Sequence, residues 1–300
     1  MAKFSIYLKN HGAGSLVTIG DILQPLAAGL AEAGHAVQYE NHFFYNRPVV
    51  NLLVEFFIDP AFVDSLIERK RMFGNDFAFG VLVTEDIGDP LVMDNPSFPG
   101  RRENLLRILE VADFAWSLVP VHDYGRILPD AGKVAFLRLG YVHALAETRR
   151  VVVPDIDVLV YGLPVPRRDE IMNRLAKRGL IVRSTYGVMP DYIRIDMLRR
   201  AKMILDIRRA ELVRFNSPSR IVAGLHAGVG VASEHFETGE LAYLFSYART
   251  ASYDELADAC ERLLKEDPVG FGIEAQRRFR LEAPMRAFLK EPLAVAGLPA

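Results

Sequence analysis

Phe4-Ser5-Ile6-Tyr7-Leu8 is followed by Lys9-Asn10-His11-Gly12-Ala13-Gly14-Ser15, a run of helical periodicity from about Ile19 to Ala33, then Gly34 and Ala36-Val37-Gln38-Tyr39. In order these read as a strand, a glycine-bearing loop, a helix closed by glycine, and a second strand. A βαβ unit of this kind joins parallel neighbours, so the opening of the chain decides for an α/β fold built on a parallel sheet. The same rhythm runs on: short apolar runs at 49–54 and 77–83 alternate with helical patterns at about 60–72 and 101–112, and Phe114-Ala115-Trp116 and Val134-Ala135-Phe136-Leu137 add two strands. Residues 144–155 lose the periodicity, carry Arg149-Arg150 and end at Pro154, which marks a linker.

The second half restarts the pattern with Asp157-Val158-Leu159-Val160-Tyr161-Gly162 and a helix from about Asp169 to Arg178. That helix has acids in its first turn, Lys177 and Arg178 in its last, and Gly179 beyond, as the macrodipole and the stop rules favour. Strands are predicted at 180–184, 203–207 and 229–233, helices at about 190–200 and 218–227. Ser252-Tyr253-Asp254-Glu255 reads as a capping box opening a helix over 253–265, and the tail from about 271 to 290 reads as helical with a break at Pro284. The expected layout is therefore one domain over 1–150, a second over 151–270 and a helical tail over 271–300.

Composition narrows the function classes. The chain has 300 residues, 50% of them hydrophobic and 25% charged, with a formal net charge of -2, which excludes a disordered chain, a coiled coil and a strongly basic nucleic-acid binder. The longest apolar run, Val50 to Ile58, is interrupted by Asn51 and Glu55, so no membrane span is expected. The N-terminus reads as a strand without a secretory signal region, and Cys260 has no second cysteine to pair with. Both point to a reducing compartment, the cytoplasm. The first half holds 14 Lys+Arg against 18 Asp+Glu and the second 22 against 20, which makes the second half the better anion binder.

Several residues could carry chemistry there. In Ser217-Pro218-Ser219-Arg220, Ser217 suits an N-cap and Pro218 the first helical position. Free amides, two hydroxyls and a guanidinium at a helix start form a phosphate site, although an ordinary cap with a solvated arginine has the same residues. Gly162 to Arg168 leaves the carboxyl end of a predicted parallel strand, where ligands collect in open α/β sheets, and Arg167 and Arg168 suit a diphosphate. Asp206 and Glu234 end two further strands at the same edge and suit ribose or sugar hydroxyls. In the first half, His11 in the first loop and Thr84-Glu85-Asp86 after the strand at 77–83 are candidates for general acid-base work. A polar loop histidine and a solvated turn at Gly88-Asp89-Pro90 are the plainer readings of these residues.

Other chemistries lack their residues. Gly12-Ala13-Gly14 meets Val17 where a dinucleotide fingerprint needs glycine, the seven histidines are scattered, and neither a phosphate-binding P-loop nor a Gly-x-Ser-x-Gly elbow occurs. No metal site and no resident cofactor are expected.

Taken together, the second half resembles the C-terminal donor domain of GT-B glycosyltransferases, in particular the family related to the spore-maturation protein CgeB and its group-1-like neighbours. The residues that carry the resemblance are Val158 to Gly162 with Pro166-Arg167-Arg168, Ala201 to Ile207, Ser219-Arg220-Ile221, Ala227 to Glu234, and Ser252 to Leu256. In the first half they are Gly34-His35-Ala36-Val37, Ala112-Asp113 and Leu137 to Tyr141. The resemblance implies two Rossmann-like domains facing across a cleft, with the tail crossing back to the first. It implies transfer of a hexosyl group from a nucleotide-diphosphate sugar to a saccharide, protein or small-molecule acceptor, or else a noncatalytic binding protein on that scaffold. It also places Ser217, Ser219 and Arg220 at the donor phosphates, Gly162 and Arg168 at the facing loop, and Glu234 near the nucleoside or sugar. The Glu-x₇-Glu pair of many retaining members falls at Phe215 and Ala223, neither of them acidic. Retaining chemistry of that type then lacks its residues, which leaves open an inverting mechanism with His11, Glu85 or Asp86 as base, or an inactive homologue.

Overall fold

The computed structural model describes the chain apart from residues 12, 122, 123, 125–127, 129, 147–152, 161, 163, 186–188, 236–238 and 300, and gives the backbone alone at 11 and 13–18. The chain divides into two compact units, one of residues 1–16, 26–138 and 286–300, the other of 17–25 and 139–285.

In the first unit, β1 (Lys3–Tyr7) leads through α1 (Ala13–Glu32) to β2 (Ala36–Glu40) and β3 (Val49–Val54). Then come α2 (Pro60–Phe73), β4 (Ala78–Val83), the short α3 (Pro90–Met93), α4 (Arg101–Val111), β5 (Phe114–Ser117) and β6 (Val134–Phe136). The strands lie in the order β2-β1-β3-β4-β5-β6, every pair parallel. β3 and β4 are buried along their whole length, which is why they read as nearly continuous apolar runs, broken only by Asn51 in β3, rather than as alternating ones. α2 starts where Asp59 accepts a hydrogen bond from the Ala61 amide at 3.0 Å and Pro60 pre-sets the first turn.

The second unit runs β7 (Ile156–Val160), α5 (Pro166–Lys177), β8 (Val182–Ser184), α6 (Asp191–Arg200), β9 (Ala201–Asp206) and α7 (Ser219–Ala227). It continues with β10 (Gly230–Glu234), β11 (Arg249–Ala251), α8 (Leu256–Lys265) and α9 (Pro268–Glu282). Its parallel sheet has the order β11-β10-β9-β7-β8, and Val158, Met203, Leu205, Leu256 and Cys260 pack in its core. Burial pushes the Cys260 thiol up to about 12, so it is held as an inert apolar group.

α10 (Met285–Phe288) and α11 (Lys290–Val295) end the chain. α11 packs on β6, and the Trp116 indole Nε1 donates to the Pro292 carbonyl at 2.9 Å. Within the second unit, the segment after β6 runs beside the chain that follows α9. The Tyr141 amide donates to Ala283 O at 2.7 Å and the Met285 amide to Tyr141 O at 2.9 Å. Gly140 is required there, because a Cβ would stand 2.6 Å from the Ala283 carbonyl.

Both sheets use one topology: the second strand flanks the first on one side, and the third, fourth and fifth follow on the other. Each sheet therefore has a topological switch point beside its first strand, between β1 and β3 in one unit and between β7 and β9 in the other. In open α/β sheets the crevice outside the carboxyl ends at that point is where ligands bind.

The α/β reading and the parallel sheets stand. Two local expectations do not. Ser217 is not the N-cap of α7: Pro218 takes that place with φ -63° and ψ -18°, and Ser217 Oγ lies 2.9 Å from Ser219 Oγ instead. The fixed φ of proline already suits a helical turn, so the helix is entered without a side-chain cap. Likewise Ser252 Oγ donates to the Glu255 carboxylate at 2.7 Å rather than accepting from a backbone amide, and α8 starts only at Leu256. Pro284 does separate α9 from α10.

Candidate functional site

The carboxyl edge of the second sheet gathers most of the residues singled out from the sequence. β9 ends at Asp206, which is fully buried and holds three donors: Arg220 Nη1 at 3.0 Å, Asn216 Nδ2 at 2.8 Å and Ser233 Oγ at 3.2 Å. β10 ends at Glu234, 1% exposed, whose carboxylate accepts from Arg167 Nη2 at 2.7 Å, Arg208 Nη2 at 2.7 Å and the Arg208 amide at 3.1 Å. Burial alone pushes the Glu234 carboxyl up, but the Arg167 and Arg208 guanidiniums outweigh it and hold the group below its ordinary value.

Arginine dominates this edge. Arg168, 2% exposed at the start of α5, donates from Nε to the Ile207 carbonyl at 3.1 Å. Arg167 lies with its guanidinium carbon 3.7 Å from the Tyr253 ring centroid, and the Tyr253 hydroxyl donates to Arg167 O at 2.9 Å. Gly162, just beyond β7, shows how close the approach is: a Cβ there would lie 2.8 Å from Arg168 Nη1 and 3.2 Å from both Arg220 Nε and Nη2. Its φ of 120° is also one that side-chain-bearing residues rarely adopt. So Gly162, Arg168 and Arg220 converge at the β7–β9 switch point, with Arg167, Arg208 and Glu234 one strand further on. Guanidiniums outnumber carboxylates among these side chains, an arrangement chemically suited to an anion.

Ser217 and Ser219 stand at the start of α7, where their hydroxyls contact each other. Asp206 and Glu234, expected to accept from sugar hydroxyls, have their oxygens engaged within the protein, by Arg220, Asn216 and Ser233 at Asp206 and by Arg167 and Arg208 at Glu234. Arg208 belongs to this cluster through Glu234, and the sequence reading missed it. Its signal was present in Asp206-Ile207-Arg208-Arg209, a basic pair straight after a strand.

In the first unit, Glu85 is half-buried and Asp86 buried, directly after β4. Asp86 Oδ1 accepts from the Gly88 amide at 2.9 Å. Asp89 accepts from the Leu91 amide at 2.8 Å as the cap of α3. The loop rests on Glu55, a residue not singled out beforehand. Buried at the end of β3, it accepts from the Thr84 and Glu85 amides, each at 3.2 Å, and pairs with buried Arg101, whose Nε lies at 3.1 Å. His11 closes a short 3-10 turn, Lys9–His11, and its side chain lies outside the described residues. Among the described residues no group of three or more His, Cys, Asp or Glu is placed to hold a metal ion, and no helix is long and apolar enough to cross a membrane.

No family model matches the sequence, and no curated protein does. Solved structures match the fold. T4 phage β-glucosyltransferase aligns over 99% of this chain and 100% of its own, with 11% identity and a TM-score of 0.55. An α,α-trehalose-phosphate synthase (UDP-forming) from Burkholderia vietnamiensis aligns over 84% of this chain and 74% of its own, with 13% identity and a TM-score of 0.51. With its two parallel α/β sheets, the chain has the GT-B fold known from glycosyltransferases.

Proposed function

We propose that this chain is a glycosyltransferase that takes a hexosyl group from a nucleotide-diphosphate sugar and holds the diphosphate at the carboxyl edge of its second sheet. The observation that carries this reading is the convergence of Arg168 and Arg220 on Gly162 at the β7–β9 switch point. Glycosyl transfer builds negative charge on the departing diphosphate, and donors already fixed in place favour that charge without reorganising as it forms. Asp206 and Glu234 do the fixing, the first holding Arg220 and the second Arg167 and Arg208. Guanidiniums supply the positive charge, so the reaction needs neither a metal ion nor a resident cofactor. On the acceptor side, His11, Glu85 and Asp86 are the candidate bases, and the Glu55–Arg101 pair sets the loop that carries the two acids. The missing Glu-x₇-Glu pair favours inversion over retention.

The test is a calorimetric titration with UDP, GDP, ADP, dTDP, CMP and NAD, repeated on Arg220→Ala. One nucleoside diphosphate is expected to bind saturably and to weaken by about tenfold or more in the variant, as loss of a charge-assisted contact requires. Absence of binding by all of them overturns the donor assignment, and tight binding of NAD alone points to a different enzyme on the same scaffold.

A further inference from the structure

We propose that the first unit carries a ligand pocket of its own at the β1–β3 switch point, and that it takes a small aromatic alcohol, a phenol in the simplest case, which serves as the sugar acceptor. The acceptor role rests on the glycosyl-transfer reading above; the binding does not.

The pocket has a volume of about 290 Å³ and is lined by Lys9, Asn10, Phe56, Ile58, Asp59 and Phe62. Lys9 and Asn10 follow β1, and Phe56 follows β3, its parallel neighbour. The pocket thus opens outside the carboxyl ends of the two strands between which the order reverses, the position that general α/β topology assigns to a ligand. Its size, at the small end of the range for ligand pockets, suits a one-ring molecule.

The walls decide the class of ligand. Phe56 and Phe62 are only half-buried and Ile58 is 37% exposed, so three apolar side chains face the space. Phe56 is braced edge-on by Phe98 at 5.1 Å and by the Arg101 guanidinium at 5.0 Å, and Phe62 is stacked against Phe57 at 6.5 Å. Braced rings favour a flat apolar partner, since aromatic pairs add about 0.5–1.5 kcal/mol beyond the area they bury.

The polar side is narrow. Asn10 Nδ2 is committed to the Val54 carbonyl at 2.6 Å, while Asn10 Oδ1 is shielded from solvent and has no hydrogen-bond partner among the described residues. A group inserted beside it supplies the missing donor if it carries an O–H, and this is the ligand chemistry the site favours. Asp59 already spends one oxygen on the cap of α2. A pyranose needs many polar partners around its ring, and this lining does not supply them. In transfer, the acceptor oxygen forms the bond to the anomeric carbon as the bond from that carbon to the diphosphate oxygen breaks. The diphosphate leaves with the electron pair, and the hydroxyl proton passes to one of the first-unit bases named above.

The probes are 4-ethylphenol, 4-ethylanisole and methyl β-D-glucopyranoside, followed by ligand-observed NMR on the full chain, with the nucleotide titration repeated on the same samples. The wild type is expected to bind 4-ethylphenol saturably and 4-ethylanisole about fivefold or more weakly, because the ether leaves Asn10 Oδ1 unpaired. Asn10→Ala should erase that difference. Ile58→Asp, at an exposed position that does not endanger folding, should weaken 4-ethylphenol by about tenfold while leaving nucleotide binding unchanged. Binding of 4-ethylphenol that neither variant alters, or binding of the glucoside in its place, overturns the pocket assignment. Nucleotide binding without phenol binding removes this inference and leaves the donor site standing. Phenol binding without any nucleotide keeps the pocket but removes its acceptor role together with the donor reading.

Discussion

Gly162 is the residue on which the candidate donor site turns. An alanine there would place its Cβ against the Arg168 and Arg220 guanidiniums and force a side-chain-bearing residue to φ 120°. Strain of this kind costs about 1–3 kcal/mol. Gly162→Ala is therefore expected to lower stability by an amount in that range, read by urea unfolding, and also to weaken the nucleoside diphosphate, read by calorimetry. A variant that loses neither would show that the close approach has no role. Glu55 shows the opposite kind of residue, one whose role has no local signal. Its partner Arg101 lies on α4 and the amides it receives lie after β4, so nothing within a few positions of Glu55 announces them. Arg208 is the intermediate case, a visible basic pair whose tie to Glu234 only the sheet reveals.

At the scale of elements, His226 ties α7 to the segment after β6 and to α9. Its Nδ1 lies 2.9 Å from the Val222 carbonyl and its Nε2 accepts from the Val142 amide at 2.9 Å, so the ring is the neutral Nδ1–H form. It stacks at 5.6 Å on Tyr141, and its own carbonyl accepts from Gln276 Nε2 of α9 at 2.5 Å. Burial lowers its pKa from 6.5 to about 4. Because the folded value is the lower one, the unfolded chain takes up the proton first as pH falls. Stability is then lost from about pH 6.5 down to about pH 4, by up to about 1.4 kcal/mol per pH unit for one proton. His226→Gln should flatten that part of the pH dependence in urea unfolding at pH 7, 6 and 5. An unchanged slope would assign the proton uptake elsewhere.

Element by element, the strands were the legible part. β3, β4 and β7 read from apolar runs broken at most by one polar residue, Asn51 in β3 and Asp157 in β7, because a strand covered on both faces has no polar side. The three-residue β11 left no such run, being half-buried throughout. Helix starts were less legible than helix stops. Gly179 and Gly228 stand just past their helices with positive φ, a property only the residue itself decides. Whether Ser217 or Ser252 caps a helix depends on which acceptor or donor lies nearest in space. In the candidate site the arginines were readable as charge, but the acids were read as ligand acceptors because their guanidinium partners come from other strands and helices.

For the whole molecule, the repeated topology means that each unit has one switch point and one edge suited to a ligand. The chain does not visit the units once each: residues 286–300 return to the first. Buried Leu289 and Leu293 belong to that return, and the Trp116 indole depends on Pro292 for its hydrogen bond. Ending the chain at Met285 removes these contacts and leaves an indole N–H without its acceptor. The expected outcome is a drop of several degrees in the midpoint of thermal unfolding, measured by circular dichroism, and faster cleavage of the first unit by a nonspecific protease. An equal midpoint would mean that the tail adds nothing to the unit it joins.

The docking of Pro292 on Trp116 gives the molecule a built-in pair of reporters. The chain has one tryptophan and one cysteine, the former in the first unit and the latter buried in the second. Selectively excited tryptophan emission therefore watches one half alone, and modification of the thiol, which must wait for the core around Cys260 to open, watches the other. Unfolding followed by both signals at once tells whether the two halves melt as a single cooperative body or in succession, with no label introduced.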